Sequence, residues 1–222
     1  MSKIVSVNQL SKTLGNIRVI DNVSFGIESG EFLAVQGPSG SGKTTLLGLL
    51  AGLEKADEGS ILIGDEELTS MTEDQLALFR RHNIGFVFQT FNLIPTLNTL
   101  ENIALPLYPE RINRKDMLER ARKAAYDVGL SERLDHYPNE LSGGEQQRVA
   151  VARSLINEPK VIFADEPTGN LDSKTGEKII ELLHKLNTEK GQTFVLVTHD
   201  DKIAKKSSRI IRLIDGRIKH DK

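Results

Sequence analysis

Nine consecutive residues restrict this chain more than any other stretch: Gly37-Pro38-Ser39-Gly40-Ser41-Gly42-Lys43-Thr44-Thr45. Gly37, four residues, then Gly42-Lys43-Thr44 fits the phosphate-loop pattern G-x-x-x-x-G-K-[ST]. Such a loop wraps a phosphate in backbone N–H groups. Glycines permit it because they accept φ > 0 and carry no Cβ. The preceding run Glu31-Phe32-Leu33-Ala34-Val35-Gln36 reads as a short apolar strand, and Leu46 to Leu50 reads as the first turns of a helix. A helix there points its free N–H groups and positive dipole end at the anion. In that setting Lys43 reaches the β- and γ-phosphates and the Thr44 hydroxyl ligates Mg²⁺. An incidental Gly/Ser turn would not come with a strand before it and a helix after.

The rest of the chain fits a nucleotide-handling α/β fold. Its 222 residues suffice for one large domain or a domain with a subdomain. The net charge of −2 lacks the basic excess of a nucleic-acid binder, so no nucleic-acid partner is expected. With no cysteine, disulfides and thiolate chemistry are excluded. No apolar run approaches the about 18 residues that span a bilayer. Met1-Ser2-Lys3-Ile4-Val5 lacks the apolar core of a signal peptide.

Taken in order, Ile4 to Leu10 and Ile17 to Phe25 read as strands, and Ser29-Gly30 turns the chain into the loop's strand. After a break at Asp57-Glu58-Gly59, Ser60 to Ile63 reads as a strand and Gly64-Asp65 as a hairpin turn. Thr72 caps a short helix, with Gln75 three residues on. Ile84 to Gln89 reads as a buried strand. From about Phe91 to Ile156 the chain is expected to be almost wholly helical, a helical subdomain inserted between strands. Within it Asn113 caps a helix whose Met117, Ala121, Ala124, Ala125 and Val128 share one face, and Gly129 ends it. Val161 to Ala164 returns to strand. Ser173 is read as the cap of a helix ending before Gly191. Thr193 to Val197 is a buried strand, and Asp215-Gly216 closes a terminal hairpin. Strands alternating with helices imply a largely parallel sheet.

Two further motifs complete the chemistry. Val161-Ile162-Phe163-Ala164-Asp165-Glu166 is an apolar strand ending in two carboxylates. A parallel sheet delivers that end to the edge carrying the phosphate loop. There Asp165 can help hold Mg²⁺ and Glu166 can polarise a water for attack on the γ-phosphate. Leu141-Ser142-Gly143-Gly144-Glu145 places a serine and two glycines before another helix, a second potential anion site. One chain has a single phosphate loop, so a two-fold homodimer reconciles the two sites. Each protomer's Ser142-Gly143-Gly144 then closes on the ATP held by its partner.

This combination resembles the nucleotide-binding subunit of an ATP-binding-cassette (ABC) transporter over essentially the whole chain. The resemblance implies a P-loop α/β fold with a mostly parallel core sheet, an N-terminal antiparallel β-subdomain and a helical subdomain at about 91–157. It implies ATP and Mg²⁺ as ligands, Gln89 contacting Mg²⁺ and water, His199 contacting the γ-phosphate, and Asp172 in Gly169-Asn170-Leu171-Asp172 signalling across the dimer. The family's aromatic on adenine is replaced here by Leu14, which covers a ring without offering a π-face. His82, His136, His184 and His220 show no ligand spacing. The basic cluster from Lys205 to Lys219 is interrupted by acids and reads as a solvated face.

Phe88-Gln89-Thr90-Phe91-Asn92-Leu93-Ile94-Pro95, Leu100-Glu101-Asn102-Ile103-Ala104-Leu105-Pro106-Leu107 and Asp165-Glu166-Pro167-Thr168-Gly169-Asn170-Leu171-Asp172 are similar to one branch. That branch holds lipoprotein-releasing, macrolide-exporter, antimicrobial-peptide-resistance and cell-division ATPases. The implied partner is an integral-membrane permease, with this chain peripheral on the cytoplasmic face. A cell-division-type regulatory ATPase shares these motifs. A soluble ABC ATPase of translation or DNA repair is disfavoured, because such proteins usually carry two cassettes or a long insertion.

Overall fold

The structure, a computed structural model, describes residues 3–222. Met1 and Ser2, part of the segment lacking a signal-peptide core, lie outside the described residues. Two sheets organise the chain. The first is antiparallel, ordered β2-β1-β4-β5, from β1 (Lys3–Leu14), β2 (Ile17–Glu28), β4 (Glu58–Ile63) and the short β5 (Glu66–Glu67). The second is ordered β10-β9-β3-β8-β7-β6. Its strands are β3 (Phe32–Gln36), β6 (Ile84–Val87), β7 (Val161–Asp165), β8 (Thr193–Thr198), β9 (Arg209–Ile214) and β10 (Arg217–Asp221). All its pairings are parallel except the terminal β9–β10 hairpin.

Strand alternation explains why this sheet is covered on both faces. Val161 and Phe163 of β7 point into a core shared with the antiparallel sheet and α1 (Lys43–Leu50). Ile162 and Ala164 point the other way, into a core made with α3 (Thr99–Ala104), α4 (Arg114–Asp127), α5 (Gly143–Leu155) and α6 (Ser173–Lys190). Phe163 is fully buried, which is worth about 1.5–3 kcal/mol.

Local signals account for the helix ends. Thr72 and Gln75 form a reciprocal capping box on α2 (Glu73–Asn83). Asn113 caps α4, and Gly129 follows it at φ 73°. Three expectations are corrected. The cap of α6 is Asp172, whose carboxylate accepts from Thr175 N at 3.1 Å, and Ser173 is the first helical residue. Asp and Ser cap about equally well, and here the carboxylate also faces the helix's positive end. The strand from Ile84 ends at Val87, so Gln89 lies two residues beyond it. The segment from Phe91 to Ile156 is only partly helical: residues 91–98 are irregular, and 128–142 are turns with two short 3₁₀ segments. Asn102 explains how 91–98 stays ordered. It is fully buried, accepts from Ile94 N at 2.8 Å and donates to the carbonyls of Ile94, Leu97 and Asn98. One side chain thus satisfies backbone groups that a helix would have paired internally.

Candidate active site

The carboxyl ends of β3, β7 and β8 lie in register at one sheet edge: Gln36 pairs with Thr198, and Asp165 with Val197. Whatever follows those strands converges there.

After β3 comes the glycine loop. Gly40 and Gly42 sit at φ 79° and 95°, conformations that residues with a Cβ rarely hold. Gly42 is also the N-cap of α1 and supplies no side-chain cap, so the first N–H groups of the helix are left for a ligand. A Cβ on Gly42 would overlap the Val19 carbonyl of β2, which lies directly against the loop. Lys43 is largely buried, and its ammonium donates to Gly37 O at 2.9 Å and Pro38 O at 2.8 Å. Ser41 is buried within the loop, and its hydroxyl has no hydrogen-bond partner among the described residues.

After β7 come the two carboxylates. Thr44 Oγ1 donates to Asp165 Oδ1 at 3.3 Å, bringing together the two oxygens best placed to hold a divalent cation. Burial pushes the Asp165 carboxyl above the usual aspartate range, and the neighbouring Glu166 charge adds to it. The Thr44 bond and the Lys43 charge oppose the shift. Glu166 holds φ 42°, unusual for a residue with a side chain. Its Oε1 lies 2.9 Å from Nδ1 of His199, which follows β8. Thr44, Glu166 and His199 open onto a cavity of about 630 Å³, with Asp165 behind Thr44 and not in its lining. The loop residues Ser39, Gly40, Gly42, Lys43, Thr44 and Thr45 line one side, and Glu166, His199 and Val19 the rest.

Other expected site residues lie elsewhere. Leu14, at the far end of β1, is 48% exposed and does not line this cavity. Val19 does line it, although nothing in the sequence sets it apart from the other residues of its strand. Gln89 belongs to a neighbouring loop. Its carbonyl accepts from Asn170 Nδ2 at 3.0 Å, and its amide lies against Gly169, where an added Cβ would come 2.6 Å from Nε2. Ser142, Gly143 and Gly144 also stand apart from the cavity. Ser142 Oγ donates to Glu145 Oε2 at 2.7 Å within a capping box, and Ser142's side-chain and backbone bonds hold the Glu145 carboxyl below its usual range. A Cβ on Gly143 would come 3.1 Å from Leu171, and one on Gly144 2.5 Å from Thr175 Cγ2. The glycines let α5 start close against the segment after Glu166.

The model of the family "ABC transporter" matches residues 20–169. The lipoprotein-releasing system ATP-binding protein LolD of Cytophaga hutchinsonii is 44% identical, over 97% of this chain and 99% of its own. The macrolide export ATP-binding/permease protein MacB of Bdellovibrio bacteriovorus is 49% identical over 92% of this chain, which spans only 31% of that longer protein. Among solved structures, the ATP-binding cassette MJ0796, a protein of Methanocaldococcus jannaschii, is 45% identical. In its dimeric post-hydrolysis state with ADP and Pi it superimposes with a TM-score of 0.88, over 98% of this chain and 97% of its own.

Proposed function

We propose that this chain, which belongs to the ABC transporter family, is the ATP-hydrolysing subunit that drives a separate integral-membrane permease of the lipoprotein-releasing and macrolide-exporting kind. One observation carries the reading. The fold brings Lys43, Thr44, Asp165, Glu166 and His199 together from three strand ends, with Glu166 2.9 Å from His199. None of these residues is adjacent in sequence except within its own motif.

The roles follow from chemistry and position. Loop N–H groups from Gly40 to Thr45 cradle the β-phosphate, and Lys43 transfers its bonds from the Gly37 and Pro38 carbonyls to phosphate oxygens. The donor set suits Mg²⁺, since the Thr44 hydroxyl and Asp165 carboxylate are hard oxygens 3.3 Å apart. Thr44 and Asp165 would hold the ion, and its positive charge would offset that of the phosphates. Glu166 acts as general base toward the attacking water, and His199 orients Glu166 and the γ-phosphate. Gln89 reports from the loop that faces the permease.

Ser142, Gly143 and Gly144 stand outside their own chain's cavity. In a two-fold dimer they close on the partner's ATP, and Asp172 lies at the same junction. No helix among the described residues is long and apolar enough to cross a membrane. The chain then works as a peripheral subunit, held to the cytoplasmic face by its permease. Purified chain should release phosphate from ATP in the presence of Mg²⁺. Tagged chain drawn from native membranes in mild detergent should bring a stoichiometric permease, and recovery of soluble proteins alone would refute the transporter role.

A further inference from the structure

Gln147 lies in α5, five residues beyond Ser142, and is fully buried. Its Nε2 donates to the Pro167 carbonyl at 2.7 Å, while its Oε1 has no hydrogen-bond partner among the described residues. An unpaired buried acceptor is costly, and methionine would fill the same space without it. The amide therefore serves something other than packing. Pro167 follows Glu166, whose φ of 42° persists only where neighbours fix it. Backbone bonds hold one side: Glu166 N donates to Val197 O at 3.0 Å, and Glu166 O accepts from Gly169 N at 2.9 Å. The Gln147 amide is the side-chain grip on the other side, and it comes from the helix that begins at Ser142-Gly143-Gly144.

We propose that Gln147 is a positioning residue that couples the two ATP sites of the dimer. This rests on the two-fold arrangement proposed above. There, the start of α5 meets the partner's nucleotide, while Gln147 on the same helix holds Pro167 and therefore Glu166 in its own site. Closure of one site sets the general base of the other. Losing the amide leaves both sites able to bind ATP but loosens Glu166 and separates their turnover.

The test measures ATP hydrolysis against ATP concentration for the full chain and Gln147→Met, with thermal unfolding of both. The wild type should show a Hill coefficient approaching about 2, the number of sites, and the variant about 1. The variant's kcat should fall about ten- to a hundredfold with KM little changed, as expected for a misplaced base. Should methionine prevent folding, Gln147→Glu carries the test, because a carboxylate cannot donate to Pro167 O. A non-cooperative wild type overturns the inference. So does a variant with wild-type kcat and Hill coefficient, or one that only melts earlier with its cooperativity intact. Glu166→Gln with ATP is run in parallel for oligomeric size. If it stays monomeric, the two-fold arrangement itself fails. If it dimerises while Gln147→Met stays fully cooperative, only the role of Gln147 fails.

Discussion

The two glycine motifs of this chain are built differently. The loop from Gly37 to Thr45 is finished within one chain. Gly40 and Gly42 hold left-handed conformations, its lysine is largely buried, and partners from two other strand ends meet it. Ser142-Gly143-Gly144 forms an ordinary helix start, with its serine hydroxyl engaged by Glu145 and its glycines packed on Leu171 and Thr175. The first motif lines an open cavity, and the second is organised around its own helix. Under the proposed function, one chain binds ATP alone and needs a second chain to use it.

Substitutions can sharpen or break that contrast. The largest effect is expected from Glu166→Gln, which should reduce steady-state phosphate release by about 10²–10⁴-fold while ATP binding persists. An unchanged rate would remove Glu166 from its role. Lys43→Ala strikes the finished site and should weaken ATP binding by about 1.5–3 kcal/mol, read by titration calorimetry. Gly42→Ala forces a Cβ toward the Val19 carbonyl at φ 95° and should cost about 1–3 kcal/mol of folding stability in a denaturant melt. Ser142→Ala should cost only about 1 kcal/mol of stability through its lost cap, leave monomer ATP binding unchanged and still depress hydrolysis.

The smallest effect concerns acid. Glu145 has a lowered carboxyl pKa, so its capping contribution is complete above the ordinary glutamate pKa and is lost as pH falls through the lowered value. In Glu145→Gln the neutral amide can still reach Ser142 N but has no charge to lose. The variant's stability should therefore change less across that window than the wild type's.

Much of this was legible in the sequence, and where it was not, the reasons are physical. Local chemistry spoke clearly: Thr72 with Gln75, Asn113 with Gly129, and the loop glycines each encode a conformation through their own side chains or lack of one. Tertiary chemistry was silent. The order of residues 91–98 depends on one buried asparagine, Asn102, which hydropathy counts as a mere polar interruption. Arg153 donates to the carbonyls of Phe91 and Asn92, both at positive φ, a contact spanning about sixty residues that no periodicity reveals. Val19 reaches the cavity only because β2 packs against Gly42. The capping of α6 by Asp172 is not legible in the sequence, because Ser173, an equally good cap type, stands beside it.

The most direct test of the incomplete second site is the mass of the Glu166→Gln chain in solution, measured by light scattering with and without saturating ATP. The same measurement is made with Gly144→Arg added. The account predicts that ATP doubles the mass of the first protein, and that the second binds ATP with equal affinity yet remains monomeric. A Glu166→Gln chain that stays monomeric when saturated with ATP, or a double variant that dimerises as readily, would contradict it.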